Sequence, residues 1–298
     1  MARGEIGFVG LGIMGKPMVR NLMKADYSVT VYDIVSESVE EMVTDGAKAA
    51  SSAAEVAQIA STVITMVPDS PQSEAAILGP NGVLEGTSSG STVIDMSSIA
   101  PASSQKIAKA CENADVNFLD APVSGGETGA IEGTLAVMVG GKKEVFDANF
   151  DMLSTMSGSI VLCGDYGAGN TTKLANQIIV AGNIAALGEA LVLAKKSGID
   201  PQVVFDAIKG GLAGSTVMNT KGPMMISGNF DPGFRIVLHQ KDLHNALLTG
   251  KDVGAPLLFT SLAQQILGSL INDGKGNSDH SAIANFMEDM AGIKISEK

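Results

Sequence analysis

The chain has 298 residues, 45% hydrophobic and 17% charged, with no Trp; this excludes wholesale disorder, gives enough length for two domains and leaves the core to Ala, Val, Ile, Leu and 15 Met. Its formal charge is −12, from 20 Lys and Arg against 32 Asp and Glu, which repels nucleic-acid phosphates and anionic membrane surfaces, and no basic cluster offsets it. Cys111 and Cys163 are too few for a disulfide scaffold or a zinc site and fit a reducing, cytoplasmic setting.

The N-terminus runs directly into Ile6-Gly7-Phe8-Val9-Gly10, which reads as a first strand and not as a signal peptide. Further short apolar runs at 28–32, 62–66, 92–95 and 117–120 predict strands, and helical spacing over 16–24, 38–44, 53–59, 72–78 and 103–110 predicts the helices between them. Such βαβ alternation feeds a doubly wound parallel sheet. Strands at 135–140 and 159–162 with a helix over 144–153 extend it.

After Gly169 the strand pattern stops. Helices are predicted over 171–197, 201–209, 217–225, 239–253, 256–270 and 281–290, so an α/β domain over 1–164 should be followed by an all-α domain over 165–298. The long first helix of that second part would join the two and leave a cleft between them. Its most apolar stretch, Gln177 to Ala194, carries Asn183 and Glu189, which points to a buried helix of a soluble protein and away from a membrane span.

Gly10-Leu11-Gly12-Ile13-Met14-Gly15 forms a GxGxxG turn between the first strand and the first helix. Gly10 permits the tight turn, Gly12 lets a pyrophosphate approach the backbone, and Gly15 allows helix and strand to pack closely, with the helix N-terminus facing the anion. Asp33, at the end of the second strand, stands where a carboxylate bonds the ribose 2′-OH of NAD. The first domain therefore reads as a Rossmann-type dinucleotide-binding fold. The same carboxylate repels a 2′-phosphate, and neither Arg20 nor Lys24 is placed to clamp one, so NADH is favoured while NADP stays open.

Four segments resemble the signatures of the β-hydroxyacid dehydrogenase family, in its order and spacing. They are the run from Phe8 to Met18, Asp120-Ala121-Pro122-Val123-Ser124-Gly125-Gly126, the run from Gly167 to Asn176, and Lys241-Asp242-Leu243. The resemblance covers nearly the whole chain. It implies that Lys173 is the catalytic acid/base, that Asn176 holds substrate beside it, and that Ser124, Gly125 and Gly126 bind the substrate carboxylate. It also implies that Val67, Pro68 and Ser97 line the dinucleotide and that Lys241 closes over the nicotinamide side. On the residues alone Lys173 would read as a solvated helix charge; for Ser124-Gly125-Gly126, whose small residues suit an anion nest, a strand-ending turn is the alternative. Residues i and i+3 share a helix face, which suits Lys173 and Asn176 acting together.

Three further stretches, 210–216, 232–235 and 279–282, resemble the family's tartronate semialdehyde reductase branch. The expected reaction is reversible reduction of a small carboxylate-bearing aldehyde, tartronate semialdehyde, to D-glycerate. A 3-hydroxyisobutyrate or other short-semialdehyde specificity is the alternative within the family, and a silent dinucleotide-binding scaffold is the alternative outside it. His239, His244 and His280 lack metal-ligand spacing, so no metal is assigned and surface or satisfied histidines are expected. The family resemblance implies a homodimer or homotetramer.

Overall fold

A computed structural model of the protein describes residues 3–296. The chain divides into two compact units, one ending at Lys173 and the other beginning at Leu174, so the division falls inside a helix, several residues after the boundary read at 164/165.

The strands are β1 (Glu5–Val9), β2 (Ser28–Tyr32), β3 (Lys48–Ala49), β4 (Thr62–Thr65), β5 (Thr92–Asp95), β6 (Asn117–Asp120), β7 (Val123–Ser124), β8 (Leu135–Gly141) and β9 (Ser157–Gly164). Among the described residues they form one nine-stranded sheet in the order β3-β2-β1-β4-β5-β6-β8-β7, with β9 paired to β8. Strands β1 to β6 pair in parallel; β8 runs antiparallel to β6 and β7 and parallel to β9. The chain winds outward from β1 through β2 to β3, then returns to the other side of β1 as β4. That reversal opens a crevice beyond the C-terminal ends of β1 and β4, where ligands of open α/β sheets bind.

The strand period sorts side chains onto two faces. Ile64, Ile94 and Leu119 join Phe8 and Val31 in one core, whereas Val63, Val93 and Phe118 join Val9 and Val56 in the other. Helices cover both faces, and burying each such side chain contributes about 1.5–3 kcal/mol. The two-residue β3 and β7 and the helices Val83–Gly86 and Gly126–Glu132 were not expected from the sequence, since they are too short to show a period.

The second unit holds the rest of the Ala168–Lys196 helix, then Pro201–Ile208, Thr216–Ser227, Ile236–Val253, Leu258–Asn272 and Ile283–Ala291. Local chemistry sets their ends. Asp200 and Ser215 accept the N-cap bonds from Gln202 N and Met218 N, and Gly228, Gly254 and Gly292 take left-handed conformations just past three C-termini. The core gathers Ile184, Leu191, Phe205, Met225, Ile236, Leu243, Leu267, Leu270 and Ile283. One expectation is corrected: the apolar stretch of the long helix is not buried throughout. Only 39% of its most apolar window is covered, and Ile179 and Leu193 are exposed.

Candidate functional site

The Gly-rich turn shows which glycines serve the chain and which serves something else. At Gly10, where φ is +101°, a Cβ would lie 2.2 Å from Met66 O; at Gly15 one would lie 2.0 Å from Gly10 O and 3.2 Å from the Phe8 ring. Both glycines are demanded by close packing. At Gly12 an added Cβ would meet nothing within 4 Å, so the fold has no internal need for glycine there. The missing side chain leaves room for a group reaching the backbone from outside, as a dinucleotide pyrophosphate does. The helix that follows, Gly15–Lys24, has no side-chain cap on its N-terminal N–H groups, which suits an anion. Leu11 is buried, Ile13 is exposed and Met14 is half-buried along the same turn.

Asp33 does more than its sequence position suggests. Its Oδ2 accepts from Leu11 N at 2.5 Å and its Oδ1 from Val35 N at 2.8 Å, tying the end of β2 to the Gly-rich turn. Each carboxylate oxygen can accept a second bond, which leaves capacity for ribose hydroxyls. Nearby cations are engaged elsewhere: Arg20 bonds Asp45 and Glu41, both at 2.7 Å, and Lys16 pairs with Glu41.

The ends of β4 and β5 meet through Val67 N, which donates to Ser97 Oγ at 2.9 Å, with the exposed Pro68 beside them. Ser97 is fully buried, and its N–H donates to Asp95 Oδ1, which also accepts from Thr65 Oγ1. Burial pushes Asp95 above the usual carboxylate range.

A cleft of about 390 Å³ runs beside the turn, lined by Leu11, Gly12, Ile13 and Lys16 on one side and by Glu127 and Ile131 on the other. Asn21 Nδ2 donates to Ala130 O at 2.7 Å, pinning the Gly126–Glu132 helix beside the dinucleotide helix. Ser124 ends β7 opposite Ala136, and Gly125 and Gly126 follow with φ of +138° and +63°. A side chain on either would be strained. The chain thus keeps this loop bare next to the nucleotide cradle.

The start of the Ala168–Lys196 helix is anchored by the end of β6. Asp120 accepts from Gly167 N at 2.7 Å and from Asn170 N at 2.8 Å. Asn170 in turn accepts from Ile99 N and donates to Ser104 Oγ, both at 3.0 Å. Burial raises Asp120 to about 6 against the two N–H bonds, with Asp95 adding to the rise. Lys173 lies one turn beyond Asn170 and is only 6% exposed, which removes the reading of a solvated helix charge.

In the second unit Asn176 and Lys241 belong to one network. Asn176 Nδ2 donates to Gln177 Oε1 at 2.9 Å, Gln177 Nε2 donates to Asp242 Oδ2 at 2.5 Å, and Lys241 Nζ lies 3.0 Å from Asp242 Oδ1. His239 Nε2 bonds Gln177 O at 3.2 Å, and its Nδ1 meets His280 Nδ1 at 2.8 Å. His239 and His280 are therefore buried, hydrogen-bonded histidines, while His244 is exposed. Asp279 accepts from Gly233 N, Phe234 N, Ser281 N and Lys221 Nζ. Burial opposes its charge, but His280, Lys221 and these N–H groups outweigh that and hold Asp279 at about 2. Sequence reasoning gave no role to Asp120, Asn170, Gln177 or Asp242, although each adjoins or sits within a motif; adjacency to Asn176 and Lys241 was the available signal for the last two.

Residues 5–164 match a family model described as the NAD binding domain of 6-phosphogluconate dehydrogenase, and residues 167–287 match one described as the NAD-binding domain of NADP-dependent 3-hydroxyisobutyrate dehydrogenase. The chain is 41% identical to the 2-hydroxy-3-oxopropionate reductase of Escherichia coli over 98% of its length and 99% of that protein's. It is 38% identical to the 2-(hydroxymethyl)glutarate dehydrogenase of Eubacterium barkeri, over 98% of this chain and 97% of that one. In structure it is similar to the 3-hydroxyisobutyrate dehydrogenase of Mycobacterium tuberculosis, solved with L-serine, with a TM-score of 0.89 and 32% identity over 95% of this chain and 98% of that one. With a Rossmann-type unit, an all-helical unit and two family models matched along its length, this chain belongs to the NAD(P)-dependent β-hydroxyacid dehydrogenase family.

Proposed function

We propose that this enzyme reduces tartronate semialdehyde to D-glycerate, with Lys173 as general acid and NADH as the preferred reductant. The observation that carries the chemistry is the burial of Lys173 on a helix whose start is fixed by Asp120 and Asn170. Lysine is rarely buried, so its burial here sets Lys173 apart from the exposed lysines of the chain. The substrate choice rests on the full-length similarity to a 2-hydroxy-3-oxopropionate reductase.

Gly10, Gly12 and Gly15, with Leu11, Ile13, Met14, Asp33, Val67, Pro68 and Ser97, would hold the dinucleotide, which when bound supplies the reducing equivalent. Lys173 Nζ gives its proton to the carbonyl oxygen as that oxygen gains negative charge. Ser124 and the N–H groups around Gly125 and Gly126 hold the substrate carboxylate, and Asn176 orients the substrate. Lys241 supplies positive charge on the nicotinamide side. Holding the reactants in one geometry is itself a large part of the rate.

A second reading, 3-hydroxyisobutyrate and its aldehyde, methylmalonate semialdehyde, as the substrate pair, is favoured by the match of residues 167–287 to the 3-hydroxyisobutyrate dehydrogenase model. The two substrates differ in a hydroxyl against a methyl. A spectrophotometric panel of short semialdehydes with NADH and NADPH separates them: tartronate semialdehyde should give the highest kcat/KM, and NADH should exceed NADPH. A higher value for methylmalonate semialdehyde would replace the substrate, and a preference for NADPH would overturn the role given to Asp33.

The enzyme is further proposed to form a homodimer or homotetramer. Ile179, Leu193, Leu258, Phe259 and Leu262 are large apolar side chains of the helical unit, each at least 60% exposed. Where such side chains form a contiguous patch, it commonly marks an interaction surface. Light scattering on the purified enzyme checks the mass.

A further inference from the structure

We propose that Gln177 is a positioning residue that fixes which way the Asn176 amide faces and couples it to the Lys241–Asp242 ion pair, so that Asn176 presents its carbonyl oxygen as the acceptor for a hydroxyl of the substrate. This rests on the proposed role of Asn176 beside the substrate.

The polarity of the network follows from Asp242. An ionised carboxylate only accepts, so the Gln177 group 2.5 Å from Asp242 Oδ2 must be the amide nitrogen. Gln177 Oε1 then points to Asn176, and the Asn176 atom 2.9 Å away must be a donor, Nδ2. A flipped Asn176 would set two carbonyl oxygens against each other. Asn176 Oδ1 is thereby committed away from Gln177, together with the second N–H of Nδ2. A substrate hydroxyl is the donor that such an acceptor recognises.

Gln177 is held from its backbone as well. Its carbonyl accepts from His239 Nε2–H, which makes His239 Nδ1 an acceptor when the ring is neutral and His280 Nδ1–H the donor to it. Gln177 is 4% exposed and Asp242 2%. With side chain and backbone both tied, the amide has no free rotation through which Asn176 could turn. The charged and titratable groups bonded to Gln177, or linked to it through those bonds, are Asp242, Lys241 and His239 on the Ile236–Val253 helix, with His280 behind His239, and Lys173 stands one turn earlier on the helix of Gln177 itself.

The test compares Gln177→Met, Gln177→Glu and Asn176→Ala with the wild-type full-length enzyme, in steady-state kinetics from pH 5.5 to 8.5 with NADH and the semialdehyde that the wild type turns over best. Gln177→Met should lose roughly 10-fold or more in kcat/KM for the semialdehyde with the KM for NADH unchanged, the scale expected when a buried acceptor loses its donor. Gln177→Glu should lose as much at pH 8.5, where two carboxylates oppose each other. Relative to wild type it should recover as the pH falls and the new carboxyl gains a proton to donate to Asp242. A structural role alone gives no such rescue. If Asn176→Ala is impaired while Gln177→Met keeps wild-type kcat/KM, or if the Gln177→Glu deficit is flat with pH, the positioning role is overturned and the site reading stands. If Asn176→Ala keeps wild-type kinetics, the site reading falls and this role with it. Thermal unfolding establishes that each variant is folded, and Gln177→Met, similar in volume and not ionisable, decides the matter should Gln177→Glu not fold.

Discussion

In the dinucleotide-binding unit most of the proposed functional groups are backbone atoms exposed by missing side chains, at Gly12, Gly125 and Gly126, whereas in the helical unit those proposed are side chains 65 residues apart, at Gln177 and Asp242. A backbone site is written as a short run of glycines and tolerates little change at any of them. A side-chain network can be assembled from ordinary residues anywhere in the chain, each holding the next. The first kind is local and marks a cofactor class; the second is proposed to orient a small substrate. Substitutions that separate cofactor binding from turnover are the direct way to break that division.

The largest effect should come from Lys173. General acid catalysis contributes about 10²–10⁴-fold, so Lys173→Ala should lower kcat by that factor while NADH affinity, read by fluorescence, stays unchanged. The proposed nucleotide cradle draws on residues 10 to 97, and Lys173 is not among them. Lys173→Arg keeps the charge but holds its proton too tightly to pass it on, and it should be similarly impaired. Near-wild-type turnover of the Arg variant would reduce Lys173 to an electrostatic anchor.

A smaller effect is expected at the bare loop. Gly125→Val forces a branched residue to φ of +138° and sets a Cβ 3.2 Å from Leu135 Cδ2. Strain of about 1–3 kcal/mol in the loop that should hold the carboxylate corresponds to a roughly 10- to 100-fold rise in substrate KM, with NADH affinity preserved. An unchanged KM in a folded variant would remove the loop from the substrate site.

The contrast also explains what could be read from the sequence. Ser28–Tyr32, Thr92–Asp95, Asn117–Asp120 and Ala53–Ile59 lie where their periodicity predicts, to the residue, because each has a buried face and a clear stop. The Gly126–Glu132 helix was not legible: Gly126 and Gly129 disfavour helix, and it is held by tertiary contacts such as Asn21 to Ala130. The Gly-rich turn and Asp33 stood out as a local pattern, though the bonds from Asp33 to Leu11 N and Val35 N need the fold to be seen. Lys173 was named by resemblance, and only its burial sets it apart from a surface lysine. Gln177 and Asp242 are common residues with no spacing signature, so their pairing could emerge only once the helices were placed.

The smallest effect concerns the carboxylate that joins the sheet to the Ala168–Lys196 helix. Asp120 is raised to about 6 by burial, from a value near 3.8 in the unfolded chain. Between those two values the folded protein holds a proton that the unfolded chain releases. The stabilisation is therefore complete below about 3.8 and is lost as the pH rises through about 6. From pH 5 to pH 7 the loss is about 1 kcal/mol. Asp279, held at about 2, contributes stability that is lost only as the pH falls well below this window. Asp95 is raised in the same direction as Asp120 but is present in both proteins to be compared. Asp120→Asn removes the titration while keeping one acceptor for the N–H groups of Gly167 and Asn170. Its unfolding free energy, from denaturant titrations at pH 5, 6 and 7, should fall less with rising pH than that of the wild type, by about 1 kcal/mol across the window. Parallel pH profiles would mean that Asp120 is ionised throughout, and that the Gly167 and Asn170 N–H groups, together with the start of the helix, compensate its burial completely.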